Sequence, residues 1–592
     1  MFEAGATDSA RQDAGARRAV VTQSSFVDVV REQAERRPDA GIFTFLDYGE
    51  NESGRLSFAE LDRRARAIAG ALEALNLRGE RVLLVYPPGP DCVTGFYGSL
   101  YAGTVAVPSP PPDLGQEYAA ERIRTIARDA SPRAVMTTGE LMPLIRQVLG
   151  GSGPDAPDPM LIATDTDDFG SESDWRGADI GSEDVALLQY TSGSTSVPRG
   201  VMVTHRNLLE NCGFVSRVLD DPDETRGVMW LPPYHDMGLI GGLLQPVFSG
   251  FPITLMSPVT FLLRPLSWLR AIDRYRATIS AAPDFAFELC VRRTRPEHRE
   301  GLDLSSWRIA FNGAEIVRRE TIDAFSEAFA GSGFRRSTFY PCYGLAEATL
   351  IVTGGEAAAS PVTHDADLEE LDRGRFVPAE RPERASKSLV GCGQPGPGTR
   401  IVIVDPETRE PRPDGEVGEI WVSGPGVARG YWRRAGETAS TFAAELASGD
   451  SGRYLRTGDL GFVLDGELHV SGRITDLLVL GHRAYYPTDV EWACQERVPA
   501  LRRNCGAAFT AEIEGRERLV VVHEVKERPR GDYEELLDPI RGAVAGALGV
   551  EVGAIRLIEP RTIPRTSSGK IRRGRCRELF VEGGLNTVAE WP

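Results

Sequence analysis

One lysine stands out in the segment RTSSGKIRR, residues 565–573, because this chain uses arginine almost everywhere else for positive charge. Of the 67 Lys and Arg residues, only Lys387, Lys526 and Lys570 are lysines. The ammonium of a lysine is a compact point charge on a thin four-carbon stem, whereas a guanidinium is a wide planar fork. Lys570 can therefore reach into a narrow crevice and contact two anionic groups at once, and we expect it to be needed as a lysine.

A second candidate is the loop TSGSTSVPRG, residues 191–200, which follows the apolar segment VALLQY. Its two glycines and five hydroxyl residues can bring N–H and O–H groups together around an anion. It is not a Walker loop, because the Gly-Lys-Ser/Thr ending of that motif is absent. On these local grounds a phosphate site and a solvated turn are equally open.

Seven short segments, which include this loop and the Lys570 segment, follow one another along the chain. They are YTSGSTSVPRG (190–200), PYHDMGLIGG (233–242), NGAE (312–315), CYGLAEAT (342–349), YLRTGDLG (454–461), GRITD (472–476) and PRTSSGKIRR (564–573). Together they resemble the core motifs of the adenylate-forming superfamily, which includes acyl-CoA synthetases, luciferases and nonribosomal-peptide adenylation domains. Longer stretches are similar to one branch, the fatty acyl-AMP ligases: QYTSGSTSVPRGVMVTH, YHDMGLIGGLLQPVFSG, SPVTFLLRPLSWLRAIDRYRAT and CYGLAEATLIVTGG.

The resemblance implies a nucleotide site to which several of these segments contribute. The residues that would contact ATP and AMP are Thr191, Ser192, Gly193, Ser194, Thr195, Asn312, Gly313, Ala314, Glu315, Tyr343, Gly344, Asp459 and Arg473. The hydroxyl loop would hold the β- and γ-phosphates, and the NGAE segment would line the adenine, with Tyr343 packed on its ring. Asp459 would accept hydrogen bonds from the ribose, and Arg473 would reach the ribose or the α-phosphate.

The resemblance also implies a set of catalytic groups, which are Lys570, Glu347, His235 and Arg473. Glu347 would bind Mg²⁺, a hard ion that takes one or two carboxylates, and Lys570 would be the adenylation lysine. An acyl pocket would be gated by His235 and lined by Met237, Gly238 and Ile240. An ordinary protein core has the same apolar composition as such a pocket, and the sequence does not separate the two. Asp476 would be the hinge of the C-terminal domain.

The implied reaction uses ATP and Mg²⁺ to convert a medium- to long-chain fatty acid to acyl-AMP and pyrophosphate. The acyl group would then pass to the phosphopantetheine thiol of a separate holo-acyl carrier protein, such as one of a polyketide synthase or a nonribosomal peptide synthetase. The alternatives are a conventional acyl-CoA synthetase, an aryl- or amino-acid adenylating enzyme, and an inactive adenylate-binding scaffold, which the complete set of catalytic groups disfavours. Thr475 and His482 depart from the family pattern, in which Lys and Gly are expected.

The composition limits the class of protein and its partners. A formal net charge of −18 argues against nucleic acid as a general partner, since phosphate backbones require a basic surface. No apolar run approaches the roughly 18 residues that cross a bilayer, and the eight cysteines are scattered, so we expect a cytoplasmic enzyme with buried thiols. An arginine cluster could dock an acidic carrier protein or be paired within the chain: Arg561, Arg565, Arg572, Arg573, Arg575 and Arg577.

The length of 592 residues exceeds what one hydrophobic core usually serves. Strand-like and helix-like segments alternate from Ser25 to about residue 330, which predicts an α/β fold of parallel sheets covered by helices. Beyond about residue 390 antiparallel strands are predicted, with Asp465-Gly466 as a hairpin turn. The predicted organisation is a flexible tail (1–24), a large N-terminal adenylate-forming domain with an antiparallel barrel-like portion (25–475, including a polar branch-specific insertion at 355–388) and a small mobile α+β C-terminal domain (476–592).

Overall fold

The computed structural model describes residues 23–592 except for ten short segments. Those segments are 113–116, 151–158, 167–169, 192–197, 220, 381–385, 450–451, 481–482, 527–532 and 566–569. The predicted tail therefore lies outside the described residues apart from Gln23 and Ser24, and so does His482. Among the described residues, every helix is too short or too polar to cross a membrane.

Two mainly parallel sheets form the centre of the N-terminal part. Counted over the described residues, one sheet has nine strands, in the spatial order Gln394–Pro395, Ile351–Gly354, Phe339–Gly344, Ile309–Asn312, Ile279–Ala282, Gly227–Met229, Ile253–Met256, Gly41–Asp47 and Asn51–Ser57. The other has six described strands, in the order Met160–Ala163, Ala134–Thr137, Arg81–Val85, Val105–Ser109, Val185–Thr191 and Arg199–Thr204. Antiparallel pairing is confined to strands at the sheet ends, so the predicted α/β class is confirmed.

Helices pack on both sheets through apolar stripes. The helix Phe58–Ala74 buries Phe58, Leu61, Ala65, Ile68 and Leu72, a spacing of three and four residues that places them on one face. Its first turn is closed by a capping box between Ser57 and Glu60. The other α-helices of this part are Phe26–Arg36, Pro90–Tyr101, Glu117–Ala130, Met142–Leu149, His205–Val218, Gln245–Ser249, Pro258–Leu263, Leu266–Arg274, Asp284–Arg293, Arg319–Phe329, Leu368–Asp372 and Ala435–Phe442.

An antiparallel sheet follows, with the strands Arg400–Val404, Gly418–Ser423, Leu455–Leu464 and Glu467–Arg473 in that order. Its last two strands meet at Asp465-Gly466, where both residues have positive φ (51° and 82°), as a type I′ hairpin turn requires. The predicted insertion is a folded unit in which the strands Thr363–Asp367 and Ser386–Val390 pair. Leu371 of this segment and Leu389 just beyond it pack on Phe462 of the antiparallel sheet, so the segment shares a small core with that sheet.

The C-terminal part, which we call the C-terminal lobe (residues 476–592), has separate hydrophobic clusters. Its main described sheet has the strands Leu501–Ile513, Arg516–Val525, Val552–Ile558 and Thr587–Trp591, and a two-stranded sheet pairs Leu478–Leu480 with Arg483–Tyr485. The helices Pro487–Arg497, Leu537–Leu548 and Arg573–Glu582 complete the lobe. The α+β class predicted for this region is confirmed.

The lobe is closed against the N-terminal part. The Lys387 Nζ atom lies 2.7 Å from Asp489 Oδ2 of the lobe, with each side chain only 16% exposed, and 4.7 Å from the centre of the Tyr486 ring. Arg318 places its guanidinium 4.5 Å from the centre of the Trp492 ring in the lobe. The ion pair of Lys387 with Asp489 and the cation–π contact of Arg318 with Trp492 therefore join the lobe to the N-terminal part in this closed arrangement.

Candidate active site

A cleft of about 1260 Å³ lies between the C-terminal lobe and the carboxyl ends of the parallel strands. Ligands of open α/β sheets bind at that edge, and the volume exceeds the roughly 300–1,000 Å³ of a site for one small molecule. Part of the lining is apolar, from Val215, Met229, Met237, Ile253, Ile279 and Ala281. Charged residues from both lobes form another part, so the cleft can receive a polar ligand and an apolar chain together.

Lys570 enters this cleft from the C-terminal lobe. The side chain keeps access to solvent, yet protein surrounds it closely enough for desolvation to lower its pKa, and the charge of Arg473 acts in the same direction. Asp236, Glu315 and Asp459 act in the opposite direction and favour the charged ammonium. These three carboxylates come from three different segments of the N-terminal part, so the ammonium lies where those segments converge.

His235 lies beside Asp236, one of the three carboxylates that favour the charged form of Lys570. The His235 Nδ1 atom is 2.6 Å from Asp236 Oδ1. Burial alone would raise the pKa of Asp236, but His235, Lys570 and the N–H of Met237 together lower it. His235 and Met237 both line the cleft.

The other two predicted acyl-pocket residues lie behind the cleft. Residues Met237–Leu244 form a π-helix, which has a wider turn than an α-helix. Such turns are often found at functional sites. Ile240 is buried in the main core, and a Cβ on Gly238 would come 2.1 Å from the Pro232 carbonyl oxygen, so neither lines the cleft. Gly241, which sequence reasoning missed, does line it.

Glu347 lines the cleft from a tight 3-10 turn, Ala346–Ala348. The turn ends at Thr349, whose φ of 72° is an outlier for a β-branched residue, and the Thr349 hydroxyl donates to the Gly426 carbonyl at 2.6 Å. Glu347 Oε1 accepts a hydrogen bond from the Tyr431 hydroxyl at 2.8 Å. Burial raises the pKa of Glu347, and the Tyr431 bond and the charge of Arg473 act against that rise. Backbone strain and a fixed donor thus set the position of one carboxylate.

Asp459 joins two other predicted residues at the hairpin. Asp459 Oδ2 accepts a hydrogen bond from the Tyr343 hydroxyl at 2.7 Å, and Asp459 Oδ1 accepts one from Arg473 Nε at 2.6 Å. The charge of Asp459 raises the pKa of Arg473, which remains cationic. Gly344, the next residue after Tyr343, allows the Leu350 carbonyl to approach, because a Cβ there would lie 1.7 Å from that oxygen.

The NGAE segment divides into a buried part and a part in the cleft. Asn312 has no exposed surface, and Gly313 packs against Cys342 of the neighbouring strand, so these two residues lie behind the cleft wall. Ala314 and Glu315 line the cleft. Burial raises the pKa of Glu315. The hydrogen bond that the Phe285 N–H donates to Glu315 Oε1 at 2.7 Å acts against that rise.

The hydroxyl loop is described only at its two ends. Thr191 ends its strand at the cleft, and Ser192, Gly193, Ser194 and Thr195 lie outside the described residues. At the other end, Arg199 pairs with Glu437 at 2.9 Å and lies 5.3 Å from the centre of the Tyr431 ring. Tyr431 therefore contacts both the Glu347 carboxylate and the end of the loop, a role that no local sequence signal revealed.

The predicted hinge residue Asp476 ends a short 3-10 turn and lies 3.5 Å from Arg573 Nη1. Arg573 also makes a bidentate pair with Glu491, at 2.6 and 2.7 Å, within the lobe. Arg575 pairs with Glu578 at 2.8 Å. These two members of the arginine cluster are thus paired within the chain, which weakens the cluster as a basic docking surface.

Comparisons with known proteins match the chain along most of its length. A family model described as AMP-binding enzyme matches residues 30–432. The chain is 42% identical, over 95% of its length and 96% of the relative, to the medium-chain-fatty-acid–[acyl-carrier-protein] ligase JamA of Moorena producens. It is 36% identical, over 96% of its length and 99% of the relative, to the long-chain-fatty-acid–AMP ligase FadD26 of Mycobacterium bovis. The crystal structure of the fatty acyl-adenylate ligase of Legionella pneumophila with acyl adenylate and pyrophosphate has a TM-score of 0.75, with 41% identity over 97% of this chain and 99% of that one.

Proposed function

The chain belongs to the AMP-binding enzymes, in the branch of the fatty acyl-AMP ligases, and we propose that it activates a medium- to long-chain fatty acid with ATP and transfers the acyl group to a separate holo-acyl carrier protein. The observation that carries the proposal is the position of Lys570, in one cleft with Asp236, Glu315 and Asp459 and with an apolar lining. The proposed carrier is of the kind that polyketide synthases and nonribosomal peptide synthetases use.

In the first step, a carboxylate oxygen of the fatty acid forms a bond to the α-phosphorus of ATP. The bond between that phosphorus and the oxygen bridging to the β-phosphate breaks, and pyrophosphate leaves. Both reactants are anionic, so the protein must hold them in line and offset their charge. The Lys570 ammonium is proposed to contact the carboxylate and the α-phosphate together, Asp459 to accept from the ribose, and His235 to gate the acyl chain.

In the second step, the carrier's phosphopantetheine sulfur attacks the acyl carbonyl carbon, the thiol loses its proton and AMP leaves. The thiol needs the space that Lys570 fills, so the C-terminal lobe is proposed to rotate about Asp476 between the steps. Rotation would separate Lys387 from Asp489, which lie on opposite sides of the lobe interface. The boundary at residues 473–476 and the status of residues 355–388 as a branch-specific insertion are part of this proposal.

The donor set fits a Mg²⁺ ion held together with ATP. Glu347 offers one half-buried carboxylate in the cleft that Thr191 also lines, and no cluster of three or more His, Cys, Asp or Glu ligands occurs among the described residues. Mg²⁺ commonly takes one or two carboxylates and completes its shell with water and phosphate oxygens. When bound there, the ion would neutralise charge on the phosphates.

The substitution Tyr431→Phe tests how Glu347 is held. It removes the hydrogen bond that favours the charged carboxylate, so the pKa of Glu347 should increase. The Mg²⁺ concentration for half-maximal acyl-AMP formation should then increase about tenfold, which is the lower end of the loss in metal affinity when a group that supports a ligand is removed. Raising the pH should partly restore activity, because it ionises Glu347 again. The control is Tyr275→Phe, which removes a similar bond to Glu52 on the surface. An unchanged Mg²⁺ requirement in Tyr431→Phe would contradict this role.

The experiment that tests the function offers the protein ATP, Mg²⁺ and a panel of fatty acids of increasing chain length, with mass spectrometry of the products. Acyl-AMP and pyrophosphate are expected without an acceptor, and acyl-carrier thioester is expected once a holo-carrier protein is added. Coenzyme A in place of the carrier should give little acyl-CoA. Abundant acyl-CoA would instead support a conventional acyl-CoA synthetase, and the absence of any adenylate would support a binding scaffold.

A further inference from the structure

A largely buried carboxyl group, that of Asp284, lies against the NGAE segment and borders the cleft, although no sequence motif marked it. Asp284, only 4% exposed, begins the helix Asp284–Arg293. Its Oδ1 atom accepts hydrogen bonds from Asn312 Nδ2 at 3.1 Å and from the Arg318 N–H at 3.2 Å. Its Oδ2 atom accepts one from the Thr321 hydroxyl at 2.7 Å. A single carboxyl group thus binds both ends of the segment 312–318 and the first turn of the helix that follows.

The second end of that segment, Arg318, is not capped by its own side chain. Arg318 is the N-cap of the helix Arg319–Phe329, and it makes no side-chain cap. The exposed N–H groups of a first helical turn need acceptors, which a Ser, Thr, Asn or Asp at the N-cap usually supplies. Asp284 supplies that acceptor from a different helix. A carboxylate near the N-terminus of a helix also interacts favourably with the positive end of the helix dipole.

Between the two anchored ends the backbone is strained. Ala314 has a φ of 66°, in the left-handed region, which is unfavourable for a residue with a Cβ. Such a conformation persists only where the surroundings impose it. Ala314 and Glu315 are the members of the segment's NGAE motif that line the cleft, so the strained residue is also one at the ligand surface.

We propose that Asp284 is a positioning residue for the nucleotide, acting through Asn312 and Arg318 to hold Ala314 and Glu315 in the shape that receives adenine. The inference rests on the proposed function, since it takes the nucleotide as the ligand of this wall. It assigns to Asp284 no contact with the reacting atoms.

Burial and the charged groups around Asp284 shift its pKa, so its protonation state changes with pH. Burial, and then the charge of Glu315 on the facing loop, raise the pKa of Asp284 to about 7, and the bonds from Thr321, Asn312 and Arg318 act against that rise. Lys570 and Arg318 lower the pKa of Glu315, whereas Glu288 raises it. In both protonation states one oxygen of Asp284 still accepts from Asn312 and Arg318, and a protonated Oδ2 can donate to Thr321 instead of accepting.

The sign of the stability effect follows from that pKa. Between about pH 4 and pH 7 folded Asp284 holds a proton that the unfolded chain has lost, so the free energy of unfolding should fall as the pH rises through that window. Asparagine reproduces the neutral state, because its oxygen accepts from Asn312 and Arg318 and its amide donates to Thr321. Asp284→Asn should therefore gain thermal stability relative to the native protein between pH 5 and pH 8.

The test compares Asp284→Ala with Asp284→Asn by calorimetric titration with ATP alone and by steady-state acyl-AMP formation. Asp284→Ala leaves the Asn312 and Arg318 donors unpaired, so its Kd and KM for ATP should increase about tenfold. Its KM for the fatty acid should change little, and Asp284→Asn should retain ATP affinity at pH 6.

Asp367→Ala is the matched control. Asp367 is also 4% exposed, and it caps the helix Leu368–Asp372 outside the cleft. Its replacement should lower the melting temperature without changing the Kd for ATP. The assignment fails if Asp284→Asn weakens ATP binding as much as Asp284→Ala, or if Asp284→Ala binds ATP normally. Because ATP binding is measured without fatty acid, either failure is distinct from a failure of the proposed ligase activity.

Discussion

Replacing Lys570 with arginine is expected to lower acyl-AMP formation by about 100-fold or more, the usual loss when a group that stabilises transition-state charge is removed. Arginine keeps the charge but spreads it over a planar fork, which cannot replace the compact ammonium that is proposed to contact the carboxylate and the α-phosphate together. The Kd for ATP should change little. Pyrophosphate release and mass spectrometry of acyl-AMP measure the effect.

Lys526→Arg is the control for this variant, since Lys526 is an exposed lysine of the same lobe and donates to the Pro499 carbonyl. It should retain native activity. When acyl-AMP is supplied ready-made, Lys570→Arg should still transfer the acyl group to the carrier, because the lysine is proposed to act only in the first step. Full adenylation activity in Lys570→Arg would contradict the proposed role.

Elements with strong local patterns could be predicted from the sequence. The apolar segment VALLQY is the buried strand Val185–Thr191, and the next helix, His205–Val218, begins after a capping box made by Thr204 and Asn207. The turn at Asp465-Gly466 could be predicted because Asp-Gly is one of the few residue pairs that readily adopt positive φ at adjacent positions. In each case the information lies within a few residues of the feature.

The segment around Met237 shows what local reasoning does not reach. The resemblance places Gly238 and Ile240 in an acyl pocket, which stays a prediction, but the segment forms a π-helix, whose wider turn changes which residues share a face. In this segment Gly241 lines the cleft, whereas Gly238 and Ile240 do not. A rare helix type is set by packing against the rest of the fold, which composition does not report.

Partners distant in sequence were equally hidden. Tyr431 donates to Glu347 across 84 residues, and Asp284 accepts from Asn312 across 28. Such pairs depend on the order of strands in the sheets, and neither Tyr431 nor Asp284 belongs to a segment that resembled a family motif. The motifs therefore identified several groups that line the cleft, whereas the residues that hold those groups required the structure.

Glu347→Gln is expected to lower acyl-AMP formation by about 100-fold at ordinary Mg²⁺ concentrations, because a bound metal ion supplies several kcal/mol of charge stabilisation. Glutamine keeps the shape of the side chain and can still accept from Tyr431, so the loss isolates the carboxylate charge. Excess Mg²⁺ should restore only part of the rate. Glu445→Gln, at an exposed position, should behave as the native protein. A Glu347→Gln variant with native rates across a Mg²⁺ titration would show that the ion is held elsewhere.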